Sequence, residues 1–168
     1  MRLETIKIGR IVNAHGIRGE VRVQPDGQDP AFLTRFKTFY LDGAPVTPTA
    51  NHVHKSLVLM KFPGVDDMNA ALALKGKDLY IRRSDAKLPE GACFDAELLG
   101  MAVYDGATGE ALGKIVQVDP YPAHKVYTVR GAREYLIPAV PEVFIKSVDL
   151  DADRMEVHVW EGMAADEN

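Results

Sequence analysis

A few groups of side chains in this chain are of types and spacings that could do chemistry. Cys93 is the one cysteine, so a nucleophilic thiol is conceivable. Its neighbours Ala92, Phe94 and Asp95 offer nothing that would lower its pKa. His52 and His54 stand two apart, on one face of a strand, a spacing compatible with a metal; no third ligand is near in sequence. Asp66-Asp67 resembles a carboxylate pair, but it sits where a helix begins, and capping explains it. The stretch "NAHGIRGEVRV", Asn13 to Val23, sets His15, Arg18 and Arg22 around two glycines. Such cations on a corner could hold phosphate without any reaction taking place.

The common phosphate-binding and nucleophile-elbow patterns (G-x-G-x-x-G, the P-loop, G-x-S-x-G) are absent. "HGIRG" lacks P-loop spacing and leads into the alternating strand "EVRV" rather than a helix. Gly16 and Gly19 permit positive φ, as a tight strand-to-strand corner requires. Residue types alone leave two readings open, a plain structural corner and an RNA-contact corner. No metal, nucleotide or other cofactor is expected.

Charge sharpens the question. The net charge of −4 argues against a nucleic-acid binder, yet it conceals a division. Residues 1–88 hold 14 Lys+Arg and 9 Asp+Glu, a net of +5; residues 89–168 hold 6 and 15, a net of −9. A basic half suits phosphates, and an acidic half suits a basic protein. No apolar run approaches the ~18 residues of a membrane span. The start, "MRLETIKIGR", has no apolar core of a secretory signal. With a single cysteine, a reducing cytoplasm is the expected setting.

The elements that must position these residues read mainly as strands. "IKIGRIV", "EVRVQ", "TFYL", "VHKSLVLMKF" and "DLYIRR" are strand-like, and "GVDDMNAALALKG" is the one convincing helix, capped by Asp66 or Asp67 and stopped near Gly76. This predicts a small barrel with one helix at an end. The weakly periodic "SDAKLPEGACFDAE", Ser84 to Glu97, reads as a linker, where the charge balance also changes sign. Beyond it, "MAVYD", "ALGKIVQVD", "KVYTVRG", "EYLIPAV", "VFIKSVDLD" and "RMEVHVWEG" predict a second small barrel. The expected fold class is thus all-β, two small barrels: residues 1–84, a linker over 85–95, and 96–168 with a frayed acidic tail.

"IGRIVNAHGIRGEVRV" followed by "FKTFYLDG" resembles the N-terminal domain of the RimM family, bacterial 16S rRNA processing and ribosome maturation factors. "ELLGMAVYD", "GEALGKIVQV", "REYLIPAV" and "VDLDADRMEVHVWEGM" resemble its C-terminal PRC barrel, so the likeness covers roughly residues 5 to 163. It implies a translation-protein-like barrel followed by a PRC barrel, and a non-enzymatic role. The family binds free 30S subunits, not mature 70S ribosomes, and assists assembly of the head. Its partners there are a small-subunit ribosomal protein, the one numbered nineteen, and 16S rRNA. No membrane partner is implied, and a monomer is expected.

Two departures bear on the contact surface. The family often carries Tyr-Tyr at the start of the PRC domain, important for 30S binding; here the positions hold Cys93 and Phe94. Either the first ring is dispensable, or another residue such as Tyr121 substitutes. In "PYPAHKVYTVRG", Ala123-His124-Lys125 replace an acidic or amide residue, making Tyr121, His124 and Lys125 a candidate loop tip. The expected binding set is therefore Arg10, His15, Arg18 and Arg22 in the first half and Phe94, Tyr121, His124 and Lys125 in the second. Two alternatives stand beside this reading. A generic PRC-barrel interaction module would not associate with ribosomes. A small hydrolase or rRNA nuclease would have to rely on His52, His54 and Asp66.

Overall fold

A computed structural model describes residues 1–89, 92–160 and 163. The chain divides into two compact units. One spans Glu4–Lys87; the other comprises Leu88 onward together with Met1–Leu3. Of the expected linker, Glu90 and Gly91 lie outside the described residues, as does the expected acidic tail apart from Met163.

The 4–87 unit is a seven-stranded sheet in the order β4-β3-β7-β1-β2-β6-β5. Its strands are β1 (Thr5–His15), β2 (Glu20–Pro25), β3 (Phe39–Leu41), β4 (Ala44–Val46), β5 (Ala50–His54), β6 (Leu57–Lys61) and β7 (Asp78–Arg82). β1 is central and long. Its register slips against β7 between Lys7 and Gly9 and against β2 between Ile11 and Asn13. Bulges of this kind bend a strand and increase its twist, which lets one strand serve a rolled, barrel-like sheet. Ile6, Ile8 and Ile11 of β1 and Val21 and Val23 of β2 are buried. This is the alternation that the β-branched spacing of "EVRV" predicts.

Three local differences from the sequence reading have simple causes. "VHKSLVLMKF" is not one strand. Lys55 takes φ 58° and turns the chain, so β5 and β6 form a hairpin with His54 opposite Leu57. His54, Lys55 and Ser56 are three consecutive polar residues that interrupt the alternation, and the turn falls there. A short helix, α1 (Pro30–Leu33), was not anticipated. Asp29 caps it by accepting from the Ala31 N–H, and proline at its first position suits a helix start. The anticipated helix, α2, is short (Met68–Leu72); Asp67 is its N-cap, accepting from the Ala70 N–H at 2.8 Å. Gly76 lies beyond it with φ 90°.

The second unit is a six-stranded sheet in the order β11-β10-β9-β8-β13-β12. Its strands are β8 (Ala102–Asp105), β9 (Ala111–Pro120), β10 (Lys125–Arg130), β11 (Glu134–Pro138), β12 (Ile145–Asp149) and β13 (Arg154–Val157). All neighbours are antiparallel except β13 and β8, which run parallel. The core gathers Leu98, Met101, Val103, Ile115, Ile137 and Met155. A third short helix, α3 (Asp95–Leu98), and a 3-10 turn at Arg83–Asp85 occupy parts of the stretch read as a linker.

Candidate functional site

The β1–β2 corner is built by the two glycines of "HGIRG". Gly16 has φ 69° and Gly19 φ 95°, both in the region that favours glycine. Gly19 is constrained twice over. A Cβ there would lie 2.0 Å from the Val65 carbonyl oxygen, so the corner backbone abuts the segment leading into α2. Gly16 meets nothing within 4 Å. The corner is therefore pinned on its Gly19 side and open on its Gly16 side. Ile17 and Arg18 are exposed at the tip.

Behind the tip, β2 points Arg22 to the side opposite Val21 and Val23. Arg22 pairs in register with Asn13 of β1 and Leu59 of β6, and Leu59 in turn with His52 of β5. The Arg22 guanidinium Nε donates to Nδ1 of His15 at 3.3 Å. The rings of His15 and His54 come within 5.6 Å, although their strands are three places apart in the sheet. Flat strands ~4.8 Å apart could not achieve this, so the twisted sheet curls along the diagonal from His15 through Arg22 to His54. Leu59, on that same diagonal, is buried. The result is a patch of one arginine and two imidazoles beside the exposed Arg18. Glu20 stands opposite His15. Of the other nearby acids, Asp66 is held by Lys61 at 2.9 Å and Asp67 caps α2.

Arg10 does not join this group. It lies five positions back along β1 from His15, a strand distance of about 15 Å. Its Nε donates to Asp78 Oδ1 at 2.8 Å, and Lys7 approaches the same oxygen at 3.6 Å. That hydrogen bond is the largest cause holding the Asp78 carboxyl below its usual range, and the same contact raises Arg10. Charge that sequence reading pooled into one contact set is thus partly consumed by a carboxylate on β7.

In the second unit, the residues at the domain start form a structural node. Phe94 is 4% exposed, so its ring is packed and not presented to solvent. Glu97, fully buried, accepts the Phe94 N–H at Oε1 and the Leu3 N–H at Oε2, each at 3.0 Å. Cys93 is half-buried. The Tyr127 hydroxyl is pushed up to about 12, by burial first and then by Cys93 and Asp95. Lys125 is drawn into the same region, its Nζ 2.7 Å from Asp95 Oδ1. Of the expected loop tip, Tyr121 is exposed between β9 and β10; His124 is half-buried, its Nδ1 3.0 Å from the Lys125 carbonyl oxygen. Sequence reading passed over Glu97, although a Glu three residues after a helix start is the acidic half of a capping box. It also passed over Trp160, exposed and 4.9 Å from Phe144.

His52 and His54 are exposed on β5, and Asp66 is paired with Lys61. Among the described residues, no three His, Cys, Asp or Glu side chains are placed to hold a metal ion. No helix among them is long and apolar enough to cross a membrane.

Comparison with known proteins decides the family. Residues 6–86 match the RimM N-terminal domain, and residues 95–163 match the RimM PRC barrel domain. The chain belongs to the RimM family. The ribosome maturation factor RimM of Symbiobacterium thermophilum is 36% identical to it, over 98% of this chain and 97% of that protein. The ribosome maturation factor RimM of Clostridioides difficile is 34% identical over 96% and 97%. A solved structure of RimM from Pseudomonas aeruginosa is 28% identical, covering 93% of this chain and 98% of that one, with a TM-score of 0.46. RimM-family proteins are non-enzymatic assembly factors. The all-β fold and the PRC barrel expected from the sequence are those of this RimM-family chain.

Proposed function

We propose that this RimM-family chain acts in the cytoplasm as a ribosome maturation factor, binding the free, immature 30S subunit and assisting assembly of its head and processing of 16S rRNA. One observation carries the reading. Both RimM domains match in order, and relatives named ribosome maturation factor align over nearly the whole chain. The charge division supports an allocation of partners. The 4–87 unit, with Arg18 and Arg22 at its corner, would meet the phosphates of head rRNA. The acidic second unit would meet a basic ribosomal protein, the small-subunit protein numbered nineteen. Such a factor needs neither nucleotide nor turnover. It acts by binding one assembly intermediate better than the competing ones and shifting the population toward it.

Co-sedimentation with separated 30S, 50S and 70S particles at two salt concentrations tests this. Association with 30S alone, weaker at high salt, is expected, because phosphate contacts release counterions. Absence from every particle would overturn the reading and favour an interaction module unconnected with ribosomes.

A further inference from the structure

The corner carries one feature that phosphate contact does not explain. Ile17 is 74% exposed, more than any other large apolar side chain among the described residues. It sits at the apex of the turn, between the two positive-φ glycines, where a polar residue would be solvated at no cost. It adds nothing to the core of its own unit. The turn that presents it is held, because Gly19 packs its backbone against Val65. Two arginines flank it: Arg18 is next in the chain, and Arg22 lies behind, its Nε donating to His15.

We infer that Ile17 is an apolar wedge that inserts against an unstacked base step of RNA while Arg18 and Arg22 hold the neighbouring phosphates. The inference deepens the proposed rRNA contact and rests on that reading. Aliphatic side chains on nucleic-acid-binding proteins act this way, entering between bases that they partly unstack. In RNA the bases open to such entry are those of loops and bulges, where stacking is already incomplete. A projecting side chain on a pinned turn loses little conformational freedom on insertion, and isoleucine is stiff at χ1. The cationic surroundings select RNA as the occupant over a basic ribosomal protein, which Arg18 and Arg22 would repel.

The test separates the wedge from the phosphate grip. The full-length protein and its Ile17→Ala, Ile17→Leu and Arg18→Gln variants are titrated against two probes across a salt series. One probe is a protein-free transcript of the 16S rRNA head domain; the other is purified free 30S subunits. Ile17→Ala should bind both probes about five- to tenfold more weakly, with an unchanged salt slope, since it removes apolar burial and no charge. Ile17→Leu should restore most of the affinity. Arg18→Gln should reduce the magnitude of the salt slope by roughly 0.7, one phosphate contact on a single strand. Chemical probing of the transcript should show a site of raised base reactivity with the wild type and Arg18→Gln that is missing with Ile17→Ala. Wild-type affinity of Ile17→Ala for the transcript would overturn the wedge. So would a loss confined to 30S particles, which would mean that Ile17 meets a ribosomal protein. Failure of the wild type to bind 30S while it binds the transcript would sink the assembly-factor reading and leave the wedge standing.

Discussion

Replacing each corner glycine by alanine asks the same turn two different questions. Gly16→Ala places a Cβ in open space at φ 69°, so the cost is that of a left-handed non-glycine residue, about 1–2 kcal/mol. Gly19→Ala incurs the same kind of backbone penalty at φ 95°. It also drives a Cβ to 2.0 Å from the Val65 carbonyl oxygen. An ordinary carbon–oxygen contact is more than 1 Å longer, so one backbone must move away from the other. Neither partner is the flexible end of a side chain. Overpacking of this sort adds roughly 1–3 kcal/mol. The difference between the two variants should therefore be about 1–3 kcal/mol. For a unit of this size each kcal/mol lowers the melting midpoint by roughly 4–8 °C. Thermal unfolding followed by far-ultraviolet circular dichroism should place Gly19→Ala at least about 4 °C below Gly16→Ala. Equal midpoints would show that the corner does not rest on the Val65 segment, and the pinned turn on which the Ile17 wedge depends would go with it.

Three further outcomes follow from the same geometry. Phe94→Ala empties a buried aromatic site and should cost about 3–5 kcal/mol of stability, read by urea denaturation; a wild-type midpoint would contradict its burial. The Tyr127 hydroxyl is raised to about 12 in the folded protein, against 10 for an ordinary tyrosine. The folded state thus holds this proton more tightly than the unfolded state. The stability it contributes is complete below pH 10 and is lost as pH rises from there through about 12. Absorbance titration of the phenolates should show a late component that Tyr127→Phe removes. Reversing charge at Arg18 and Arg22 together should weaken 30S co-sedimentation while leaving the thermal midpoint within a few degrees; unchanged sedimentation would retire these two residues as contacts.

Much of this molecule is dictated by local pattern. The alternation of "EVRV" places Val21 and Val23 inward and Arg22 outward whatever surrounds them, because successive side chains of a strand point to opposite faces. Asp67 before an alanine-rich run caps a helix for reasons confined to a few residues. "HGIRG" must turn, since its glycines admit a backbone that other residues resist. The blocks that resemble the RimM family lie in the sequence in order, so the family and its two barrels were legible there.

What the tertiary structure decided concerns partners distant in the chain. Arg10 and Arg22 are both outward-facing arginines, and nothing local distinguishes them. Asp78, across the sheet on β7, engages the first, while His15 receives the second. Lys125 reads as a free loop cation until Asp95, 30 residues earlier, takes it up. Phe94 belongs to the binding set expected from the sequence and is buried. Gly16 and Gly19 look equivalent, yet only Gly19 meets Val65, 46 residues away. Secondary structure follows from neighbours within a few positions, whereas the accessibility and charge state of a surface group follow from whichever distant carboxylate or carbonyl the sheet brings beside it. That is why the fold and the corner could be read from the chain, and the choice of which cations remain available could not.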